Sequence, residues 1–315
     1  MNFHEGSTRA ILQNAARTHG ATVYTKPRIA DVVNIARSGL DDDHFSYALQ
    51  AHFDFVVADQ NELALFAVEF DGPLHESNAQ AVRNDEKKNH ICDKLNFPLA
   101  RVRDEHLFRK ARGINYLTWL TELFFSSEAL VQAQNEGSIP KDEPLDPMMF
   151  STNPNIVGPF PLFLSSEARN DIRSFHSEGI LGAPSPYHFY GYDKAGGGHA
   201  LVAIRASDGT LVACSSSIYL DGFGITASEA AEEIATVNLA RMVREFKDSG
   251  DCTAHPVYIR EKLIALLEST GGHLSWGGSG NLGFPVRYDS SGGKAKWTLE
   301  AFDNTPKVEM DVLAK

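Results

Sequence analysis

The sequence predicts a mixed α/β fold, in which a mixed sheet flanked by helices is followed by a smaller domain of αβββα order. In the first half of the chain, helical patterns and strand-length apolar runs follow in the order helix, strands, helix, strand, helix. A helix that connects two strands favours a mixed sheet flanked by helices. In the second half, one helical pattern precedes three strand-like runs and an alanine-rich helix.

Composition divides the chain into four segments. Residues 137–161 contain six prolines and predict a linker. This linker separates a first domain at 1–136 from a second domain at 162–248. Residues 249–315 are glycine-rich and less regular, which predicts a C-terminal extension.

The elements of the first domain follow from periodicity. Apolar residues at helical spacing predict a helix over 7–17. Apolar runs bounded by polar turns predict the strands, which are 22–24, 53–58, 63–70 and 98–102. Helical patterns cover about 78–95 and then 105–134.

The second domain begins with a helix over 165–177 and a strand over 187–192. Two further strands, 200–206 and 210–216, are joined by an Asp-Gly dipeptide of the kind found in hairpin turns. A short run at 218–220 extends the sheet, and an alanine-rich helix continues to residue 246. In the extension, 274–276 and 284–288 resemble strands.

Bulk properties favour a soluble globular protein, with 43% hydrophobic and 22% charged residues. A secretory signal and a membrane-spanning run are both missing from the pattern, so the predicted location is cytoplasmic, without a membrane partner. The net charge of −12 argues against a nucleic-acid partner, but residues 83–112 hold nine Lys or Arg against five acids. That local excess is either a solvated helix face or a phosphate-binding surface.

Three carboxylates stand near the ends of two neighbouring strands. Asp54 lies in the run 53–58. Glu69 lies near the end of the run 63–70 and Asp71 just after it, and the two project to the same side because they are two residues apart. Like charges in one place repel, and burial disfavours them, unless a cation is present. Oxygen ligands without cysteine suit Mg²⁺ or Mn²⁺, so Asp54, Glu69 and Asp71 are the predicted metal ligands.

Several motifs in order resemble a known family. Asp54 is followed by Glu69-x-Asp71-Gly72-x-x-His75, then by Arg83-x-Asp85-x-x-Lys88 and by the run from Phe97 to Val102. Over about residues 5–108 this pattern resembles the DUF2726 group, which belongs to the restriction-endonuclease-like, or PD-(D/E)XK, superfamily and is similar to the very-short-patch-repair endonuclease. The resemblance implies the fold of these nucleases for the first domain.

The resemblance also implies roles for residues. Asp54 and Glu69 become the metal-binding acids, while Asp71 stands where most of the superfamily has lysine. His75 or Lys88 then supplies the proton transfer or the positive charge, and Glu5 and Asp85 are additional candidates. Cations that would contact nucleic acid are Lys26, Arg28, Arg83, Lys87, Arg101 and Arg103.

Each residue also has a purely structural interpretation. Asp54 is typical of a polar strand edge, and Glu69 could pair with Arg101 in a structural bridge. Lys88, which has acidic neighbours, could be an exposed ion-pair partner. His75 after a turn could face solvent.

The second domain resembles a double-stranded RNA-binding domain over about 165–246, with an unrelated small α+β domain as the alternative. The lysine pair that grips RNA in that family is replaced here by Thr226, Ala227 and Ser228, followed by acids. This departure favours a protein-interaction or dimerisation module. In the extension, Trp276, Tyr288 and Trp297 either stack nucleobases or anchor a small core.

Two functions are therefore expected from the sequence. The first is a Mg²⁺- or Mn²⁺-dependent endonuclease that hydrolyses the phosphodiester bonds of DNA, or of RNA, in phage defence, repair or a mobile element. The alternative is a catalytically inactive nucleic-acid-binding or protein-interaction scaffold that retains the nuclease fold. In either case residues 162–315 are the predicted surface for a homodimer or another protein partner.

Overall fold

The computed structural model describes residues 3–72, 79–144, 163–279, 282–291 and 295–313. The chain divides into two compact units. Unit 1 contains Met1–Phe163 and Tyr219–Thr226, and unit 2 contains Leu164–Ile218 and Ala227–Lys315. The division after Phe163 lies close to the predicted end of the linker, but a short later segment returns to unit 1.

Unit 1 contains both helices and strands. Its helices are α1 (Phe3–Thr18), α2 (Ile29–Val32), α3 (Asp42–Ala48), α4 (Ala79–Lys94), α5 (Asp104–Phe108) and α6 (Tyr116–Asn135). Its strands are β1 (Thr22–Thr25), β2 (Phe55–Ala58), β3 (Ala64–Phe70), β4 (Leu99–Val102), β5 (Lys110–Ala111) and β6 (Ile114–Asn115).

The main sheet of unit 1 is mixed. Strands β1, β2 and β3 are antiparallel neighbours, whereas β3 and β4 run parallel. Residues 219–221 add an antiparallel strand end beside β4. A parallel pair needs a crossover connection, which α4 provides. The predicted mixed α/β class is therefore confirmed.

Helices cover both faces of this sheet, which explains why β2 and β4 are buried along their whole length. Alternation along β3 sends Ala67 and Glu69 to the face covered by α4, where Ala67 packs in a cluster with Ile91. On the opposite face, Phe66 lies 4.5 Å from Phe124 of α6, measured between ring centroids. Glu69 therefore points into the layer between the sheet and α4.

Unit 2 has the αβββα order that the sequence predicts. The order is α7 (Ser166–Ser177), β7 (Tyr187–Tyr192), β8 (Gly197–Arg205), β9 (Leu211–Asp221) and α8 (Ala227–Ser249). The hairpin between β8 and β9 closes where the Ala206 N–H donates to the Thr210 carbonyl at 2.7 Å, with Gly209 at a φ of 93°. The last residues of β9, from Tyr219, belong to unit 1.

Residues 249–315 are a structural part of unit 2, although the sequence predicted a separate extension. They form α9 (Pro256–Ser269), β10 (Leu274–Gly277), β11 (Val286–Asp289), β12 (Lys296–Leu299) and β13 (Val308–Asp311). Strand β10 pairs with β7, and β11, β12 and β13 form a second antiparallel sheet.

Residues 249–315 are part of unit 2 because they cover the second face of strand β8. Leu201 and Ala203 project to one side of β8 and form a buried cluster with Ile259 and Leu263 of α9 and with Trp297. Without these residues the apolar face of the αβββα sheet would be exposed to water, at a cost that grows with its area.

In the part of the chain that is described, no helix has both the length and the apolar character needed to cross a membrane.

Candidate functional site

Two carboxylates of unit 1 are held by the backbone of neighbouring strands. The backbone N–H of Asp54, just before β2, donates to Oε1 of Glu69 at 3.0 Å. In return, the N–H of Phe70 in β3 donates to Oδ2 of Asp54 at 3.0 Å. Each carboxylate therefore has one oxygen fixed by the other strand, and the antiparallel pairing of β2 with β3 brings them together.

Lys88 supplies the cation for Glu69. It lies on the face of α4 that covers the sheet, and its Nζ is 2.5 Å from Oε2 of Glu69 and 2.9 Å from the His52 carbonyl oxygen. The exposed fractions of the Lys88 and Glu69 side chains are 9% and 7%. The interpretation of Lys88 as an exposed ion-pair partner is therefore wrong, because the lysine is buried.

Burial is the main reason why the pKa of Glu69 lies above its ordinary value. The nearby charge of Asp54 also raises the pKa, whereas Lys88 and Arg101 oppose the rise. A carboxylate of this kind needs its cation, because removing one partner of a buried pair leaves an uncompensated charge.

Lys26 is a second cation at the site. Its Nζ lies 2.5 Å from Oδ1 of Asp54 and 3.1 Å from Oε1 of Glu5, so it bridges two predicted carboxylates. Burial works to lower the pKa of Lys26, but the two carboxylates outweigh it and the pKa is raised. The side chain remains 52% exposed, and the backbone has a positive φ of 54°, which a non-glycine residue adopts at a cost.

Asp71 and Asp85 are bound by Arg101 of β4. Nη1 of Arg101 lies 3.0 Å from Oδ1 of Asp71 and 2.9 Å from Oδ1 of Asp85, and its Nε donates to Asn89 at 2.9 Å. The parallel register sets Arg101 beside Glu69, while α4 presents Asp85 and Asn89. Burial works to lower the pKa of Arg101, but Asp71, Glu69 and Asp85 raise it overall.

The predicted metal ligands are thus divided between two groups of contacts. Asp54 and Glu69 are joined, and Asp71 is directed to Arg101 instead. Within the described ranges, no group of three or more histidine, cysteine, aspartate or glutamate side chains is arranged to hold a metal ion. His75 lies outside the described residues, so its predicted role stays a prediction.

The cations predicted to bind nucleic acid have different environments. Arg28 pairs with Asp31 at 2.7 Å, and Lys87 pairs with Asp43 at 2.7 Å. Arg101 is 5% exposed, so its charge lies inside unit 1. Arg83 and Arg103 are exposed, and the backbone N–H of Arg103 donates to Nδ1 of His106.

The sequence assigned Lys26 only to nucleic-acid binding and missed its contacts with Asp54 and Glu5. For Arg101 it also offered a bridge to Glu69, whereas the ion pairs that Arg101 forms are with Asp71 and Asp85. One signal was available in α4. Asp85, Lys88 and Asn89 are three and four residues apart and therefore share one helix face. Their partners on the sheet depend on strand order, which local spacing does not reveal.

The fold and the site define a class of protein: a mixed α/β unit in which paired carboxylates and buried or bridging cations meet at the ends of adjacent strands. Residues 1–118 match the family described as "Protein of unknown function (DUF2726)". This match confirms the predicted DUF2726 resemblance for that part of the chain. No curated protein and no solved structure matches the chain.

Proposed function

We propose that unit 1 is a metal-dependent nuclease that hydrolyses phosphodiester bonds of DNA. The observation that carries this proposal is the reciprocal hydrogen bonding of Asp54 and Glu69, with a lysine on the remaining oxygen of each. Such a preset pair of acids with adjacent cations is what metal-assisted phosphoryl chemistry requires. The resemblance to the restriction-endonuclease-like superfamily supports the same function.

The donor set fits a hard divalent cation such as Mg²⁺ or Mn²⁺. Asp54 and Glu69 would hold the ion through the oxygens that now contact Lys26 and Lys88, because their other oxygens accept backbone N–H groups. When bound, the ion supplies Lewis acidity and lowers the pKa of a coordinated water. Asp71 would complete the set only by leaving Arg101.

The lysines account for the positive charge that Asp71 cannot provide. Lys88 is held by one contact to Glu69 and one to the His52 carbonyl oxygen, and it is our choice for the position of the missing superfamily lysine. Lys26 is half-exposed, so it can turn towards a phosphate oxygen of the substrate. His75 is the remaining candidate for proton transfer.

One observation favours the alternative, a catalytically inactive scaffold. Each of the acids Asp54, Glu69, Asp71 and Asp85 already contacts a lysine or an arginine. A site neutralised in this way is stable without a metal ion, so the same residues could serve the fold alone.

A cleavage assay separates the two proposals. The full chain is incubated with supercoiled plasmid, single-stranded DNA and RNA, each with Mg²⁺, Mn²⁺ or EDTA. We expect metal-dependent cutting of DNA that is lost in Asp54→Asn and Glu69→Gln. Asp43→Asn is the matched control, because Asp43 is an exposed acid paired with Lys87.

Metal titration of the same proteins by calorimetry makes a negative result decisive. Absence of cutting on every substrate, together with absence of metal binding by the folded wild type, would overturn the nuclease and favour the scaffold. Cutting confined to RNA would correct the substrate and retain the reaction.

A further inference from the structure

Unit 2 contains an aromatic cavity that the proposed nuclease does not use. Its volume is about 490 Å³, within the range of ligand pockets. Its lining includes residues of β7, β10, β11 and β12 and of the segment that precedes β11. The principal rings are those of Tyr187, Phe189, Trp276, Tyr288 and Trp297.

Trp297 forms the fixed floor of this cavity. The residue is 1% exposed, and its Nε1–H donates to the Gly272 carbonyl oxygen at 2.8 Å. The ring centroid of Tyr288 lies 4.9 Å from that of Trp297, and the ring of Trp276 meets it edge-on at 6.1 Å. The two outer rings therefore pack against a buried ring that a hydrogen bond holds in place.

The outer rings remain open to water. Trp276 is 54% exposed and Tyr288 is 41% exposed, although both stand beside a well-packed core. Exposed aromatic area is costly in water, and a concave group of such rings is typical of a binding site. Packing of the core therefore explains why Trp297 is buried, but it does not explain why Trp276 and Tyr288 are exposed.

An arginine next to the cavity lining limits the ligand. Arg205 ends β8, and a Cβ atom on the lining residue Gly283 would lie 2.7 Å from its Nη2. A guanidinium beside the cavity repels a quaternary ammonium, which is the other common ligand of aromatic cages. It attracts the phosphate that accompanies a nucleobase.

We propose that this cavity binds an unstacked nucleobase of a single-stranded nucleic acid, with Arg205 at the adjacent phosphate. Trp276 and Tyr288 offer their rings to the base, and stacking of this kind accepts any base sequence. The cavity belongs to unit 2, whereas Asp54 and Glu69 belong to unit 1, so the proposal goes beyond the proposed cleavage and does not depend on it.

Binding is measured by the fluorescence anisotropy of labelled 12-residue oligo(dT) and oligo(U), with EDTA present to prevent cutting. We expect Trp276→Ala and Tyr288→Ala each to weaken binding about tenfold, the effect of losing one stacked base. Arg205→Gln should weaken binding and reduce the slope of log affinity against log salt by about 0.7, the value for one phosphate contact on a single strand.

Tyr258→Ala is the matched control, because Tyr258 is a 49% exposed aromatic residue of α9 that does not line the cavity. It should bind as wild type does. Circular dichroism verifies that each variant is folded. A comparison of oligo(dT) with oligo(U) distinguishes DNA from RNA as the source of the base.

Three results would overturn the proposal. The first is no oligonucleotide binding by the folded wild type. The second is unchanged affinity in both Trp276→Ala and Tyr288→Ala. The third is quenching of tryptophan fluorescence by choline, or by a proline-rich peptide, but not by mononucleotides. Because EDTA blocks cleavage, an inactive nuclease can still bind, and an active one can still fail this test.

Discussion

Asp54 and Glu69 hold one another through the backbone, since each carboxylate accepts an N–H from the strand on the other side of the pair. This exchange sets the direction of both side chains before any ligand is present. It also means that alanine at either position removes a charge and a hydrogen-bond acceptor together. The two effects can be separated by the choice of the new side chain.

Asp54→Ala and Asp54→Asn should differ in stability but not in activity. Alanine leaves the Phe70 N–H without the acceptor seen here, which costs about 1–3 kcal/mol, whereas asparagine retains an acceptor oxygen. Both variants lose the charge that the proposed metal site needs, so neither should cut DNA. Urea denaturation gives the free energy of unfolding, and the plasmid assay gives the activity. Full cleavage by Asp54→Asn would contradict the role of this carboxylate.

The buried pair of Glu69 and Lys88 should be strongly coupled. Glu69→Ala should lower the free energy of unfolding by about 3–5 kcal/mol, because Lys88 is then a buried charge without its carboxylate. The double variant Glu69→Leu/Lys88→Met should lose less than the sum of its single variants, with a coupling of about 0.5–3 kcal/mol. A double-mutant cycle in chemical denaturation measures this coupling.

The exposed pair of Lys87 and Asp43 provides the comparison. Its N–O distance is 2.7 Å, but the Asp43 side chain is 68% exposed. Exposed pairs contribute about 0.2–1 kcal/mol, so its cycle should give a smaller coupling. Equal couplings for the two pairs would show that burial does not govern the contribution of Lys88.

Glu233 should make the stability of unit 2 dependent on pH. Burial and the adjacent Glu232 raise the pKa of Glu233 from 4.5 to about 7, although the N–H and Oγ of Ser165 both donate to it. Between these values the folded chain binds a proton that the unfolded chain has released. The contribution of Glu233 to the free energy of unfolding therefore falls as pH rises from 4.5 to 7, by about 3 kcal/mol.

Glu233→Gln should remove this slope while retaining a polar side chain. The neighbouring Glu232 does not compensate within the window. Burial works to raise its pKa, but His188 and Arg169 lower it overall, so its contribution is lost only below the ordinary carboxyl pKa. Thermal or urea unfolding at several pH values measures the slope. The same slope in both proteins would refute the assignment to Glu233.

Two glycine substitutions should have opposite effects. A Cβ atom at Gly198 in β8 would overlap the backbone of Ala227 and Ser228 at the start of α8, so Gly198→Ala should cost about 3 kcal/mol or more. At Gly6, inside α1, a Cβ atom meets nothing within 4 Å. Gly6→Ala should therefore increase stability by roughly 0.5–1 kcal/mol. Melting temperatures of the two variants test both statements, and a neutral Gly198→Ala would contradict this packing.

Much of the fold could be predicted because its signals are local. The apolar runs at β2, β3 and β4 and the helical pattern of α4 follow directly from the spacing of side chains. The strands β12 and β13 were missed, since they are short and lie in a glycine-rich region without strong alternation. Their stability comes from pairing with each other and from the core around Trp297.

The same contrast between local signals and long-range packing applies to the candidate site. Residue types and spacing pointed to Asp54 and Glu69, because acids in apolar strands are rare. The family resemblance added Lys88 as a candidate. The sequence did not reveal which acid pairs with which cation. Glu69 pairs with Lys88, whereas Arg101 pairs with Asp71 and Asp85. Those contacts join residues that are distant in the chain, and they depend on the parallel register of β3 with β4 and on the docking of α4. The local sequence thus determines the helices, the strands and the chemical groups that they carry. Packing between residues that are distant in the chain determines which acid pairs with which cation.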